Sequence, residues 1–152
     1  TYITPQELLA MFGDQASAEA LQEGIRFGIL EQEDDRFRVA SPRLLRAGAE
    51  LAAAGIPLAV VFDQLRRLRR DMDRIAGRFV EIAATHIFDR FGGELPPPEE
   101  IPRLAELTRR LRPIVEMVVD AELARAMERQ VRAHLGEHLT RMAEHRRSRD
   151  TA

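Results

Sequence analysis

Leu65-Arg66-Arg67-Leu68-Arg69-Arg70-Asp71-Met72-Asp73-Arg74-Ile75-Ala76-Gly77-Arg78-Phe79-Val80-Glu81-Ile82 is the stretch that decides the fold. Its apolar positions are Leu65, Leu68, Met72, Ile75, Phe79 and Ile82, spaced 3, 4, 3, 4, 3. That spacing is a heptad seam, which a helix presents as one narrow stripe. Pro57 opens the element, and no Gly or Pro follows until Gly77. The pattern predicts one helix from Leu58 to Phe91, about 50 Å long at 1.5 Å per residue. A small core needs no helix of that length. The stripe therefore asks for a partner, either another helix of the chain or a second copy.

Upstream of the seam, the signals are those of short helices around a hairpin. Thr4-Pro5-Gln6-Glu7 reads as a helix start: Thr4 caps the free amides, Pro5 suits the first helical position, and Glu7 reaches back to the cap. Leu8, Leu9 and Phe12 give that helix its apolar side, and Gly13 ends it. A second helix is expected over Ser17 to Phe27, ended by Gly28. Ile29 to Glu33 and Arg36 to Val39 flank Asp34-Asp35, which predicts a hairpin that must lean on helices. Ser41-Pro42 starts a third helix, over Arg43 to Ala54, and Gly55 closes it. Downstream, Gly92-Gly93 and Pro96-Pro97-Pro98 form a stiff connector. Helix resumes near Glu99, and Pro113 either kinks it or starts a new one. From Ile114 to Met142 a second long apolar stripe runs through Val118, Leu123, Met127, Val131, Leu135 and Leu139, and the polar tail from His145 is expected to fray. The expectation is a mainly α chain in three parts: 1–57, the small helices and hairpin; 58–91, the long helix; and 92–152, C-terminal helices that complete a bundle or coiled coil.

Composition narrows the function. The 152 residues are 45% apolar and 32% charged, with 23 basic residues against 25 acidic. That balance disfavours a nucleic-acid binder over the whole chain. Cys is absent, which removes disulfides and thiolate chemistry. Lys and Asn are absent too, as a GC-rich, bacterial coding sequence would produce. No apolar run reaches the ~18 residues of a membrane span, no signal peptide is visible, and a soluble cytoplasmic domain is expected. The chain opens on Thr1 rather than Met, as a piece of a longer protein would.

Charge is unevenly spread. Residues 1–40 hold eight acids and three Arg, a net of −5, while residues 41–74 hold seven Arg and four acids, a net of +3. Arg66-Arg67-Leu68-Arg69-Arg70 is the dense basic run, and its bland reading is a solvated helix face. With Arg36, Arg38 and Arg43, these four Arg are the candidate phosphate contacts. His134-Leu135-Gly136-Glu137-His138 has the spacing of an inverted zinc-protease motif, but no third ligand accompanies it, and neither a metal nor a cofactor is assigned. No nucleophile elbow, phosphate loop or carboxylate pair stands out, so no enzyme is expected. Phe88, Phe91, Met117 and Met127 are candidates to line an apolar ligand pocket between the long helices; ordinary core is the plainer reading.

The order helix, turn, helix, hairpin, helix, long helix resembles the MerR family of bacterial transcription regulators. The resemblance is carried by Gly28-Ile29-Leu30 at the turn after the second helix and by Phe37-Arg38-Val39-Ala40-Ser41-Pro42 leaving the hairpin. Ala54-Gly55-Ile56-Pro57-Leu58 leads into the long helix, and about the first 90 residues are covered. It implies a winged helix-turn-helix, here degenerate, followed by a dimerisation helix. Two departures stand out. Gln22, Glu23 and Gly24 occupy positions where the family carries phosphate-contacting Arg and Tyr, and Glu31, Glu33, Asp34 and Asp35 make the wing acidic. DNA affinity rests on neutralised phosphates, which an acidic surface repels. The resemblance therefore implies the C-terminal part of a regulator: a homodimer through Leu65 to Ile82, with promoter DNA read by an upstream domain and a small apolar effector. Two other readings are a winged helix that binds DNA directly and a helical interaction module outside transcription.

Overall fold

The computed structural model describes residues 1–151, leaving aside the side chains of Phe88 and Arg90. It is mainly α with one small antiparallel sheet. Residues Thr1–Ile75 form one compact unit and Ala76–Ala152 a second.

In the first unit the order is β1 (Tyr2–Ile3), α1 (Pro5–Phe12), a 3-10 turn (Gly13–Gln15), α2 (Ala18–Arg26), β2 (Leu30–Glu33), β3 (Arg36–Val39), α3 (Pro42–Ala53) and the start of α4 (Leu58–Ala83). The helix starts are those the sequence announces. The Thr4 hydroxyl accepts from the Glu7 amide at 3.1 Å, and the Glu7 carboxylate accepts from the Thr4 amide at 2.7 Å. Ser17 caps α2 through the Ala20 amide, and Ser41 caps α3 through the Leu44 amide. Each such cap contributes about 1 kcal/mol. Two helix ends close the same way. After α2, the Ile29 amide donates to the Gly24 carbonyl and the Gly28 amide to that of Ile25; after α3, Ile56 and Gly55 donate to Leu51 and Ala52. This closure needs a left-handed residue, and Gly28 (φ 71°) and Gly55 (φ 92°) supply it.

The sheet has three strands in the order β1-β3-β2, all antiparallel. The hairpin is joined at Asp34-Asp35, with Asp34 at φ 50°, a region that Asp tolerates better than most side chains. The third strand was not expected. Tyr2 pairs with Arg38 and Ile3 with Phe37, so β3 is central. This relieves the weakness of an isolated hairpin. The core gathers Ile3, Leu8, Ile29, Leu30, Phe37, Val39 and Leu45, with Phe12, Leu21, Ile25, Phe27, Phe62 and Leu65 packed around it. These seven buried residues retain 4–9% of their surface, and no described side chain is sealed below 2%.

The second unit differs from expectation at three points. The α-helix ends at Ala83 rather than Phe91, and the chain continues as a π-turn (Ala84–Phe88) and a 3-10 turn (Asp89–Phe91). A wider turn advances less per residue around the axis, so His86, four residues after Ile82 and next in the 3, 4 spacing, falls behind the seam. Gly92 and Gly93, at φ 64° and 79°, then end the winding. Helix α5 runs unbroken from Ile101 to Asp150, about 75 Å, and carries Pro113 inside it. The tail is helical to Asp150, where the Thr151 amide and hydroxyl donate to the Arg147 carbonyl. Leu104 is buried on α5. Leu107, Leu111, Val115, Val119 and Ala126 are half-buried, and every residue from Met127 to Asp150 is exposed.

Candidate functional site

The seven candidate phosphate-binding arginines all lie in the first unit, and five of them already have partners. Strand register sets Arg38 opposite Glu31, and its guanidinium pairs with both Glu31 and Glu33. Arg36 lies over the Tyr2 ring, 4.0 Å from its centroid. Arg66 reaches Glu23 and Asp63, each at 3.6 Å, and Arg67 reaches Asp63 at 3.1 Å. Arg69 donates to the Phe27 carbonyl at 2.6 Å and lies over that residue's ring. Among the described residues, Arg43 and Arg70 alone of the seven have neither ion pair, hydrogen bond nor ring contact. The hairpin tip, Asp34-Asp35, adds two more carboxylates beside Glu31 and Glu33. Exposed ion pairs are individually weak, but a phosphate would have to displace carboxylates already in place.

The seam residues sit on α4 with their apolar stripe largely open. Leu68 is 49% exposed, Met72 36% and Ile82 56%, while Leu65, Ile75 and Phe79 are half-buried. Of the four residues expected to line a pocket, Met117 and Met127 are 70% and 55% exposed on α5. Phe91 is half-buried in the 3-10 turn, and the side chain of Phe88 lies outside the described residues. His134, His138 and His145 are exposed on α5, and no group of three or more His, Asp or Glu among the described residues could hold a metal.

The first unit carries instead an apolar cavity of about 730 Å³. Its wall is built by Leu8, Leu9 and Phe12 of α1, Leu21 and Gly24 of α2, Leu44, Gly48 and Leu51 of α3, Phe62, Leu65 and Leu68 of α4, and Ile29, Leu30 and Phe37 around the sheet. Ser17 and Gln64 are the only lining residues with polar side chains, and none is charged. Polar fastenings hold the helices around it. The Gln15 amide donates to the carbonyls of Ala52 (3.1 Å) and Ile56 (3.0 Å), and its oxygen accepts from the Leu58 amide at 2.7 Å. This pins the α3–α4 turn to the end of α1. At the C-terminal end of α2, Phe27 stacks on Phe62 with centroids 5.5 Å apart, and Arg66 and Arg69 cover the Phe27 ring. Sequence reasoning missed this cavity. Its one local trace is glycine at positions 24 and 48, on inward faces where a helix core normally carries bulk.

Compared with protein-family models, with curated proteins and with solved structures, the chain finds no match.

Proposed function

We propose that this chain is the dimerisation and effector-sensing part of a cytoplasmic, MerR-like transcription regulator, whose DNA is read by a domain encoded upstream of Thr1. The observation that carries the reading is the pairing of a helix–turn–helix–hairpin order with a neutralised surface. The order helix, turn, helix, hairpin, helix, long helix resembles that of the MerR family's DNA reader, yet Arg38, Arg66 and Arg67 face carboxylates of the same chain. The open stripe from Leu65 to Ile82 supports a homodimer, because a seam left half in water gains by burial against a second copy. Two subunits held in fixed register set the spacing of two half-sites on DNA, and a ligand that favours one geometry of the pair changes that spacing.

Three measurements test the reading. The coding sequence upstream of Thr1 is expected to hold an in-frame helix-turn-helix with a basic recognition helix. Sedimentation equilibrium is expected to give twice the chain mass, and Phe79→Glu to weaken the dimer about 30-fold or more, since each copy would carry an unpaired charge into the seam. Fluorescence anisotropy with duplex DNA at low salt is expected to show no binding. Salt-dependent binding would instead make the chain a direct DNA binder, and a monomeric wild type would remove the dimerisation helix.

A further inference from the structure

We propose that the cavity of the first unit is a binding site for an uncharged, apolar small molecule. Its volume, about 730 Å³, lies within the range of ligand sites, about 300–1,000 Å³. The wall is drawn from four helices and the sheet of one unit, so the site is complete within residues 1–75. Two observations indicate that the cavity is held open. Gln15 at one end and the Phe27–Phe62 stack with Arg69 at the other fix α4 to the helices that face it. The surrounding side chains do not close over the space, since Leu9, Leu44, Leu51 and Leu68 of its wall keep 37–58% of their surface exposed. The site opens to solvent along Leu9, Leu51, Val60 and Leu68, which are 40–58% exposed, and water against this wall gains little because so few polar groups are offered to it.

The chemistry of the wall selects the occupant. An ionised ligand would leave water without a counter-charge, at a large desolvation cost. The exposed apolar stripes of a second copy come flanked by charge: Leu68 sits among Arg66, Arg67, Arg69 and Arg70, and Val131 between Glu128 and Arg132. A wall whose only polar side chains are Ser17 and Gln64 does not answer those charges. A neutral, compact molecule with one or two hydrogen-bonding groups does fit it. Binding here stands apart from the regulator reading; that the bound molecule acts as an effector rests on it. The path for such action is short, because Leu65 and Leu68 line the cavity and also begin the seam of α4.

The test uses N-phenyl-1-naphthylamine, an uncharged dye that brightens in apolar surroundings, titrated into the full chain. The expected result is saturable binding of one dye per chain and a raised melting temperature. Gly48→Leu fills the cavity from α3, where the new Cβ meets only the Phe12 ring edge at 3.9 Å. It is expected to weaken the dye at least about tenfold while circular dichroism stays helical. Ala20→Leu fills it from α2 and serves if Gly48→Leu does not fold. Ile82→Glu, in the seam and away from the wall, is expected to leave affinity within about twofold. Dye binding that survives both filling substitutions, or is lost in Ile82→Glu, would overturn the site, as would absence of saturable binding. Affinity that falls as rising chain concentration drives self-association would identify a second copy as the occupant and equally overturn it. Saturation by the dye and its loss in the filling substitutions bear neither on upstream DNA reading nor on the dimer mass.

Discussion

The two ends of the chain handle apolar surface in opposite ways. In residues 1–75 the apolar side chains converge from three strands and four helices on one point, and Phe37, Leu30 and Ile3 are nearly covered. In α5 they are strung out along the helix, and from Met127 to Asp150 every residue is exposed. Both segments carry regularly spaced apolar residues in their sequence, so hydrophobic spacing alone does not make a core. Short elements joined by tight turns fold back and bury each other. A 50-residue helix keeps its own residues apart and leaves its stripe for something else. Its local stability then rests on helix propensity and on ion pairs at i,i+3 and i,i+4, such as Arg132–Glu128 and Arg125–Glu122, which contribute about 0.2–0.5 kcal/mol each.

Substitutions that treat the two regions alike should break that contrast if it is wrong. Phe37→Ala empties the centre of the first core and is expected to cost about 3–5 kcal/mol in urea unfolding. Leu135→Ala, on the bare half of α5, is expected to stay within about 0.5 kcal/mol for an unassociated chain. A large cost there that grows with protein concentration would locate a second interface on α5. Pro113→Ala is next in size. It returns the missing amide to the Arg109 carbonyl and relieves the ring clash, so hydrogen exchange around 109–117 should slow by up to about 3 kcal/mol. Gln15→Ala removes three hydrogen bonds between the end of α1 and the α3–α4 turn, and is expected to cost about 1–2 kcal/mol. If the Gln15 pin holds the cavity open, the variant also binds N-phenyl-1-naphthylamine less tightly. The smallest effect is Arg132→Ala, about 0.3–0.5 kcal/mol and reduced by salt, read from the helicity of α5.

The legible parts of the fold were those fixed within a few residues. Thr4, Ser17 and Ser41 cap because a side-chain oxygen reaches an amide three positions on, and Gly28 and Gly55 end helices because the closing residue must be left-handed. Strand β1 escaped because two residues carry no periodicity; its existence depends on β3 lying alongside. The early end of the α-helix at Ala83 escaped because the apolar spacing runs smoothly up to Ile82, just before the hydrogen bonding changes. Pro113 was readable as an interruption, yet one lost amide did not outweigh the helix on either side.

The candidate site divides along the same line. Sequence exposed the apolar stripe of α4, since six positions on one helix need only a ruler, and it showed the acid-rich hairpin. It did not show that Arg38 and Arg66 are matched to particular carboxylates, which required the strand register and the approach of α2 to α4. Nor did it show the cavity, a space between five elements whose wall residues are scattered from Pro5 to Leu68. The sequence by itself determined local winding, capping and charge, because those depend on neighbours within one or two turns. The tertiary structure alone decided where the apolar side chains fall short of one another, because an unfilled volume belongs to no residue and is set by how far apart the fastened helices stand.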